Sequence, residues 1–122
     1  MSTLSPVLVV EDQALLLLDL IDQLADFNYE ALPAQSARTA ARLLESGIRA
    51  LITDIELGDG PNGLVLARLA ARLRPGLPIV VVSGGVRPAK QDLPPGAVFL
   101  PKPYRVDAII AALERQEALT AA

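Results

Sequence analysis

The chain has 122 residues and a formal net charge of −3, with no basic cluster or stripe, which argues against nucleic acid as a direct partner. It has no cysteine and no histidine, which excludes disulfides, thiolate metal sites, and histidine as general base, zinc ligand or phosphate carrier on this chain. Just over half of the residues are apolar and only two are Phe and two Tyr, so a core of Leu, Ala, Val and Ile is expected. The length fits a single domain over residues 1–122 with its core at about 6–119. No leader-like segment or membrane-length apolar run is visible, so a soluble cytoplasmic protein without a membrane partner is expected.

Val7-Leu8-Val9-Val10 is a continuous apolar run, the pattern of a parallel strand buried on both faces. A helix opens at Asp12 or Gln13 and runs to about Phe27, with Leu16, Leu17, Leu20, Ile21 and Leu24 at helical spacing and Asn28 as its stop. Tyr29 to Pro33 reads as a short edge strand, where a proline is tolerated. Ser36 is placed to cap a second helix, with Ala37, Ala40, Ala41, Leu43 and Leu44 inward and Gly47 ending it. The strand from about Arg49 to Asp54 is followed by the Gly-rich loop Gly58-Asp59-Gly60-Pro61-Asn62-Gly63. Asn62 can cap a third helix to about Arg74, burying Leu66, Ala67, Ala70 and Leu73. A strand over 78–83 comes next. Pro88, Pro94 and Pro95 leave room for at most a turn or two of helix between Val86 and Gly96, with Val86 and Leu93 as its apolar anchors. A strand at 97–100 and a helix from about Tyr104 to Leu119 complete the chain, the helix turning Val106, Ile109, Ile110 and Leu113 inward. Such alternation predicts an α/β fold, a doubly wound five-stranded parallel sheet with helices on both faces and a short or irregular fourth helix.

The chemistry-bearing residues stand at strand ends. The first strand runs into Glu11-Asp12, the third ends in Asp54, the fourth in Ser83-Gly84-Gly85, and the fifth meets Lys102-Pro103. Ligands of doubly wound sheets bind at the carboxyl ends of the strands. In the order 2-1-3-4-5, strands one and three are neighbours, so Glu11, Asp12 and Asp54 come together, with Ser83 and Lys102 beside them. Three such carboxylates repel one another. A hard divalent cation relieves that repulsion, and Mg²⁺, which keeps places for water and phosphate oxygens, fits best. A lysine and a hydroxyl beside it suit a phosphoryl group. Read singly, each piece has a plainer role: Glu11-Asp12 as a helix cap, Asp54 and Ser83 as turn residues, Lys102 as a surface lysine, Phe99 as core. Taken jointly, the plain reading needs four coincidences at one end of one sheet.

Val9-Val10-Glu11-Asp12, Asp54 with its Gly-rich loop, Ser83-Gly84-Gly85 and Lys102-Pro103, in this order, resemble the receiver domain of two-component response regulators over nearly all of residues 6–119. The resemblance implies the flavodoxin-like strand order 2-1-3-4-5 and a role for each matching position. Asp54 would accept a phosphoryl group from a phosphohistidine on a sensor histidine kinase or a histidine phosphotransfer protein. Glu11, Asp12 and Asp54 would hold Mg²⁺, with the backbone carbonyl of Glu56 as a further ligand. Ser83 and Lys102 would bond phosphoryl oxygens, Ser83 and the aromatic Phe99 would act as the switch, and the bond to Pro103 would be cis. The implied function is a signalling switch rather than an enzyme with an external substrate, catalysing only its own phosphorylation and slow dephosphorylation and acting on an unknown downstream protein.

The chain departs from the usual receiver pattern in several places. The loop after Asp54 is slightly long, Ser stands at 83 where threonine is commoner, and Phe99 lacks a hydroxyl. The Pro-interrupted stretch before Lys102 is similar to that of a subset of stand-alone receivers with a reduced fourth helix, which puts ordinary dimerisation through that face in doubt. Two other readings stay open at this level. One is a Mg²⁺-dependent phosphohydrolase using an aspartyl-phosphate, although Glu56 stands where a second aspartate is usual. The other is a degenerate receiver that serves only as a docking module.

Overall fold

In the computed structural model, which describes residues 5–121, five strands alternate with helices: β1 (Val7–Val10), α1 (Ala14–Ala25), β2 (Ala31–Ala34), α2 (Ala37–Leu43), β3 (Ala50–Asp54), α3 (Gly63–Leu73), β4 (Ile79–Ser83), β5 (Val98–Pro101) and α4 (Val106–Ala121). All pairings are parallel and the strand order is β2-β1-β3-β4-β5. Between β4 and β5, only Lys90–Asp92 forms a helical turn, of the 3-10 type.

The apolar runs become central strands because each residue meets a helix on one face or the other. Leu8, Val10, Leu51 and Val81 pack with α2 and α3, whereas Val7, Val9, Ile52, Val80 and Val82 pack with α1 and α4. Alternation of side chains along a strand therefore feeds two cores at once, and the only polar residue before a strand end in β1, β3 and β4 is Thr53, whose buried hydroxyl donates to the Asp54 carbonyl. Pro33 sits on the edge strand β2, where its missing N–H breaks no ladder.

The helix ends follow local chemistry. Ser36 accepts a hydrogen bond from the Thr39 N–H, and Asn62 accepts from the N–H groups of Leu64 and Val65. Asn28 ends α1 in the left-handed region, at φ 66. α1 starts one residue past the acid pair, at a Gln13 cap whose side chain makes no capping bond; its N–H instead donates to Glu11 Oε2 at 3.1 Å.

The inward assignment of Leu73 is corrected, since it is 47% exposed, and of the helically spaced residues of α1, Leu16 is 44% exposed. On α1 the stripe facing the sheet is narrower than the run of leucines suggests, with Leu17, Leu20 and Leu24 buried. Leu73 is the final residue of α3 and has no following turn to close over it. Of the remaining inward residues, Ala41, Leu43 and Val106 are only half-buried. In the Pro-rich connection Val86 is exposed and anchors nothing, while Leu93 packs on the α2–α3 core and Pro94 is buried.

Candidate functional site

Strand register brings the polar strand ends level. Val10 pairs with Thr53, Asp54 with Val82, and Ser83 with Pro101. The ladder continues just past the strands, where the Glu11 N–H donates to Ala34 O, Ile55 N–H to Val82 O, and Lys102 N–H to Ser83 O. Glu11, Asp54, Ser83 and Lys102 thus leave from backbone that neighbouring strands hold.

Carboxylate oxygens of Glu11, Asp12 and Asp54 lie within 4.8 Å of one another. Glu11 and Asp54 are buried, at 5% and 4% exposure, and Asp12 is half-buried. Lys102 Nζ bridges the two buried acids, 3.1 Å from Glu11 Oε1 and 2.9 Å from Asp54 Oδ2. Asp54 Oδ1 is buried without a hydrogen-bond partner among the described residues. An unpartnered buried carboxylate oxygen is costly, and here it faces a cluster of like charge. Burial pushes the Asp54 pKa up to about 6; the Lys102 bond opposes the rise and the Glu11 charge adds to it. For Lys102, burial disfavours the ammonium, but its bonds to Asp54 and Glu11 prevail and hold its pKa above the usual lysine value.

This donor set suits a small, hard divalent cation. Its oxygens are clustered, and one of them has no other partner. Two glycines let the backbone wrap the site. A Cβ on Gly63 would overlap the Asp54 carbonyl oxygen, so α3 can begin hard against the end of β3 only with glycine there. Gly58 sits at φ +71, and a Cβ on it would come 3.3 Å from Asp12 Oδ2.

Ser83 is buried beside the cluster, but its Oγ bonds away from Asp54. It donates to Glu56 Oε2 at 2.6 Å and accepts from the N–H groups of Val86 at 2.8 Å and Gly85 at 3.2 Å. Burial acts to raise the Glu56 pKa, but the hydrogen bonds it accepts, Ser83 foremost, outweigh this and leave it below the ordinary value. Phe99 lies half-buried on β5, paired with Val81. The Lys102–Pro103 peptide is cis.

In the receiver reading the sequence gives Glu56 a backbone role, and its side chain enters only at the place of the phosphohydrolase's second aspartate; the bond from Ser83 to its carboxylate was not foreseen. Sequence reasoning also passed over Tyr104, which lines a cleft of about 390 Å³ with Lys102, Glu11 and Leu16. Burial raises the Tyr104 pKa, so its hydroxyl stays protonated.

No protein-family model and no curated protein matches the chain. Among solved structures, a response regulator receiver protein from Sinorhizobium medicae is 30% identical, with 96% of this chain and 97% of that one covered and a TM-score of 0.86. The chain belongs to the response regulator receiver family. A receiver domain protein from Methanospirillum hungatei is similar at 26% identity, over 95% of this chain and 98% of that one, with a TM-score of 0.74. A response regulator from Burkholderia pseudomallei, with a phosphorylated aspartic acid, a calcium ion and citrate, is 26% identical over 96% of this chain and 71% of that one, with a TM-score of 0.79. The receiver fold is that of a signalling switch and supports a phospho-accepting role, and the acid cluster of this receiver could hold a metal ion. Among the described residues no helix is long and apolar enough to cross a membrane.

Proposed function

We propose that this receiver is a response regulator that accepts a phosphoryl group on Asp54 from the phosphohistidine of a sensor histidine kinase or histidine phosphotransfer protein. The observation that carries the reading is the Asp54 carboxylate itself, buried at a strand end, bonded by Lys102 through one oxygen and unpartnered at the other, inside a cluster of three acids.

Glu11, Asp12 and Asp54, with the Glu56 carbonyl, are the residues that would hold Mg²⁺. When bound, the ion supplies positive charge against the phosphoryl oxygens and relieves the repulsion among the acids. An Asp54 oxygen attacks phosphorus, the bond from phosphorus to the imidazole nitrogen breaks, and an acyl-phosphate forms as the imidazole leaves with the electron pair. Lys102 holds the carboxylate before transfer and pairs with a phosphoryl oxygen after it. Ser83 supplies a hydrogen bond to another oxygen, and Phe99 repacks as Ser83 moves. The role is signalling through a downstream protein, and turnover is limited to self-phosphorylation and slow hydrolysis.

The phosphohydrolase reading needs Glu56 as a proton donor. Its carboxylate accepts the Ser83 proton and is held below its ordinary pKa, so it carries no proton to give at neutral pH. The test of the receiver reading is incubation of wild type and Asp54→Asn with a small phosphodonor or a competent kinase, with Mg²⁺ or with chelator. Acyl-phosphate is expected only on wild type and only with Mg²⁺. Label that persists on the Asn variant would refute the assignment.

A further inference from the structure

A serine hydroxyl has one proton to donate and two lone pairs to accept with. At Ser83 all three positions are in use. The proton goes to Glu56 Oε2 at 2.6 Å, a length typical of a charge-assisted bond, and the lone pairs take the N–H groups of Gly85 and Val86. Ser83 is 2% exposed, so water does not supply a substitute partner from its side. The hydroxyl that would bond a phosphoryl oxygen on Asp54 therefore has its proton committed to another acid, on the loop that follows Asp54.

From this geometry we propose that Glu56 is a positioning residue that latches Ser83 in the resting state, so that the switch turns only when a phosphoryl group outcompetes the Glu56 carboxylate for a single proton. The proposal rests on Asp54 being the phosphoryl acceptor. Phosphorylation releases the latch in two ways. It offers Ser83 an acceptor bearing more charge, and it places roughly −1.5 to −2 charges close to a carboxylate that is already negative. The backbone N–H bonds to Ser83 carry the consequence outward. Gly85 and Val86 are hydrogen-bonded to the same oxygen, so a turn of that side chain shifts the start of the Pro-rich connection with it. Glu56 is exposed, and water competes for its carboxylate, which limits the strength of the latch.

The test is the affinity for beryllofluoride, a phosphoryl mimic, measured with Mg²⁺ by calorimetry on the full chain for wild type, Glu56→Ala, Glu56→Gln, Ser83→Ala and the Glu56→Ala/Ser83→Ala pair. Glu56→Ala should bind about fivefold tighter than wild type, equivalent to about 1 kcal/mol. Glu56→Gln, which keeps an uncharged acceptor, should gain less. In the Ser83→Ala background the Glu56 substitution should gain clearly less than in wild type, because only the charge repulsion is left once the latch has nothing to hold. An equal gain with and without Ser83 would mean that removing a nearby negative charge explains everything, and the latch would be refuted. No gain in Glu56→Ala would refute it equally. Failure of wild type to bind beryllofluoride at all would overturn the receiver reading first and the latch with it.

Discussion

Lys102 Nζ lies 2.9 Å from Asp54 Oδ2, so an ammonium neutralises one oxygen of a carboxylate that burial is driving toward its protonated form. The other oxygen, Oδ1, has no hydrogen-bond partner among the described residues. This pairing leaves the resting site short of positive charge.

Asp54 should destabilise the metal-free protein above neutral pH. Its folded pKa of about 6 lies above the ordinary carboxyl value. Between those two values the folded state binds more protons than the unfolded state, so this group's contribution to stability falls as pH rises through the window. Asp54→Asn removes the ionisation. It should be more stable than wild type by roughly 1–2 kcal/mol at pH 8, with the gap closing toward pH 4. Urea unfolding of both proteins at several pH values checks this, and added Mg²⁺ should narrow the gap by stabilising wild type. A gap that does not change with pH would refute the account.

Lys102→Ala should bind Mg²⁺ more tightly, because the ammonium bridging Glu11 and Asp54 competes with a cation for the same oxygens. The gain should be on the order of tenfold for loss of a unit charge at this range in a half-screened site. The variant should still accept phosphate, more slowly, while losing the downstream response that depends on Lys102 holding the phosphoryl group. Metal titration by NMR and phosphotransfer assays separate the two effects. Normal signalling by the variant would refute the role of Lys102.

Gly63→Ala should be destabilising in spite of the helix propensity it gains. Its Cβ would meet the Asp54 carbonyl oxygen, a backbone atom that β3 holds in place. A loss of about 1–3 kcal/mol is expected from forced overpacking, with a disturbed metal site as well. Chemical denaturation measures the first effect and Mg²⁺ titration the second. A neutral substitution would mean that the start of α3 can shift freely.

Residues 86–96 should exchange amide hydrogens faster than β3 and β4, and their exchange should change on binding beryllofluoride. Apart from one 3-10 turn at Lys90–Asp92 they lack helical structure. Their restraints include Leu93 and Pro94 in the core, the Val86 N–H bonded to Ser83 Oγ at 2.8 Å, a bond from Arg68 Nε to Asp92 O at 3.1 Å, and the Asp92 carboxylate accepting from the Ala89 N–H at 3.0 Å. Arg68→Ala should raise exchange there by several-fold and leave the central strands unaffected. Protection equal to that of β3 in the resting form would refute the expectation.

The element order and the position of the site along it are legible in the residue pattern. Val7–Val10 and Ile79–Val82 are apolar at every position, which only strands covered on both faces require, and each run stops at a polar residue that can stand only at the lip of the sheet. Ser36 and Asn62 announced their helices because a cap acts within three residues of its own position. Tertiary structure alone decided which of several leucines on α1 face inward, since Leu15, Leu16 and Leu18 are exposed and only the neighbouring elements distinguish them from Leu17, Leu20 and Leu24. It also decided the partner of Ser83. The bond to Glu56 spans 27 residues and joins the end of β4 to the loop after β3. The type of a residue states that it can donate a proton, but which acceptor receives it depends on the register of β3 against β4 and on the course of the loops beyond them, and these are set by the packing of the whole sheet.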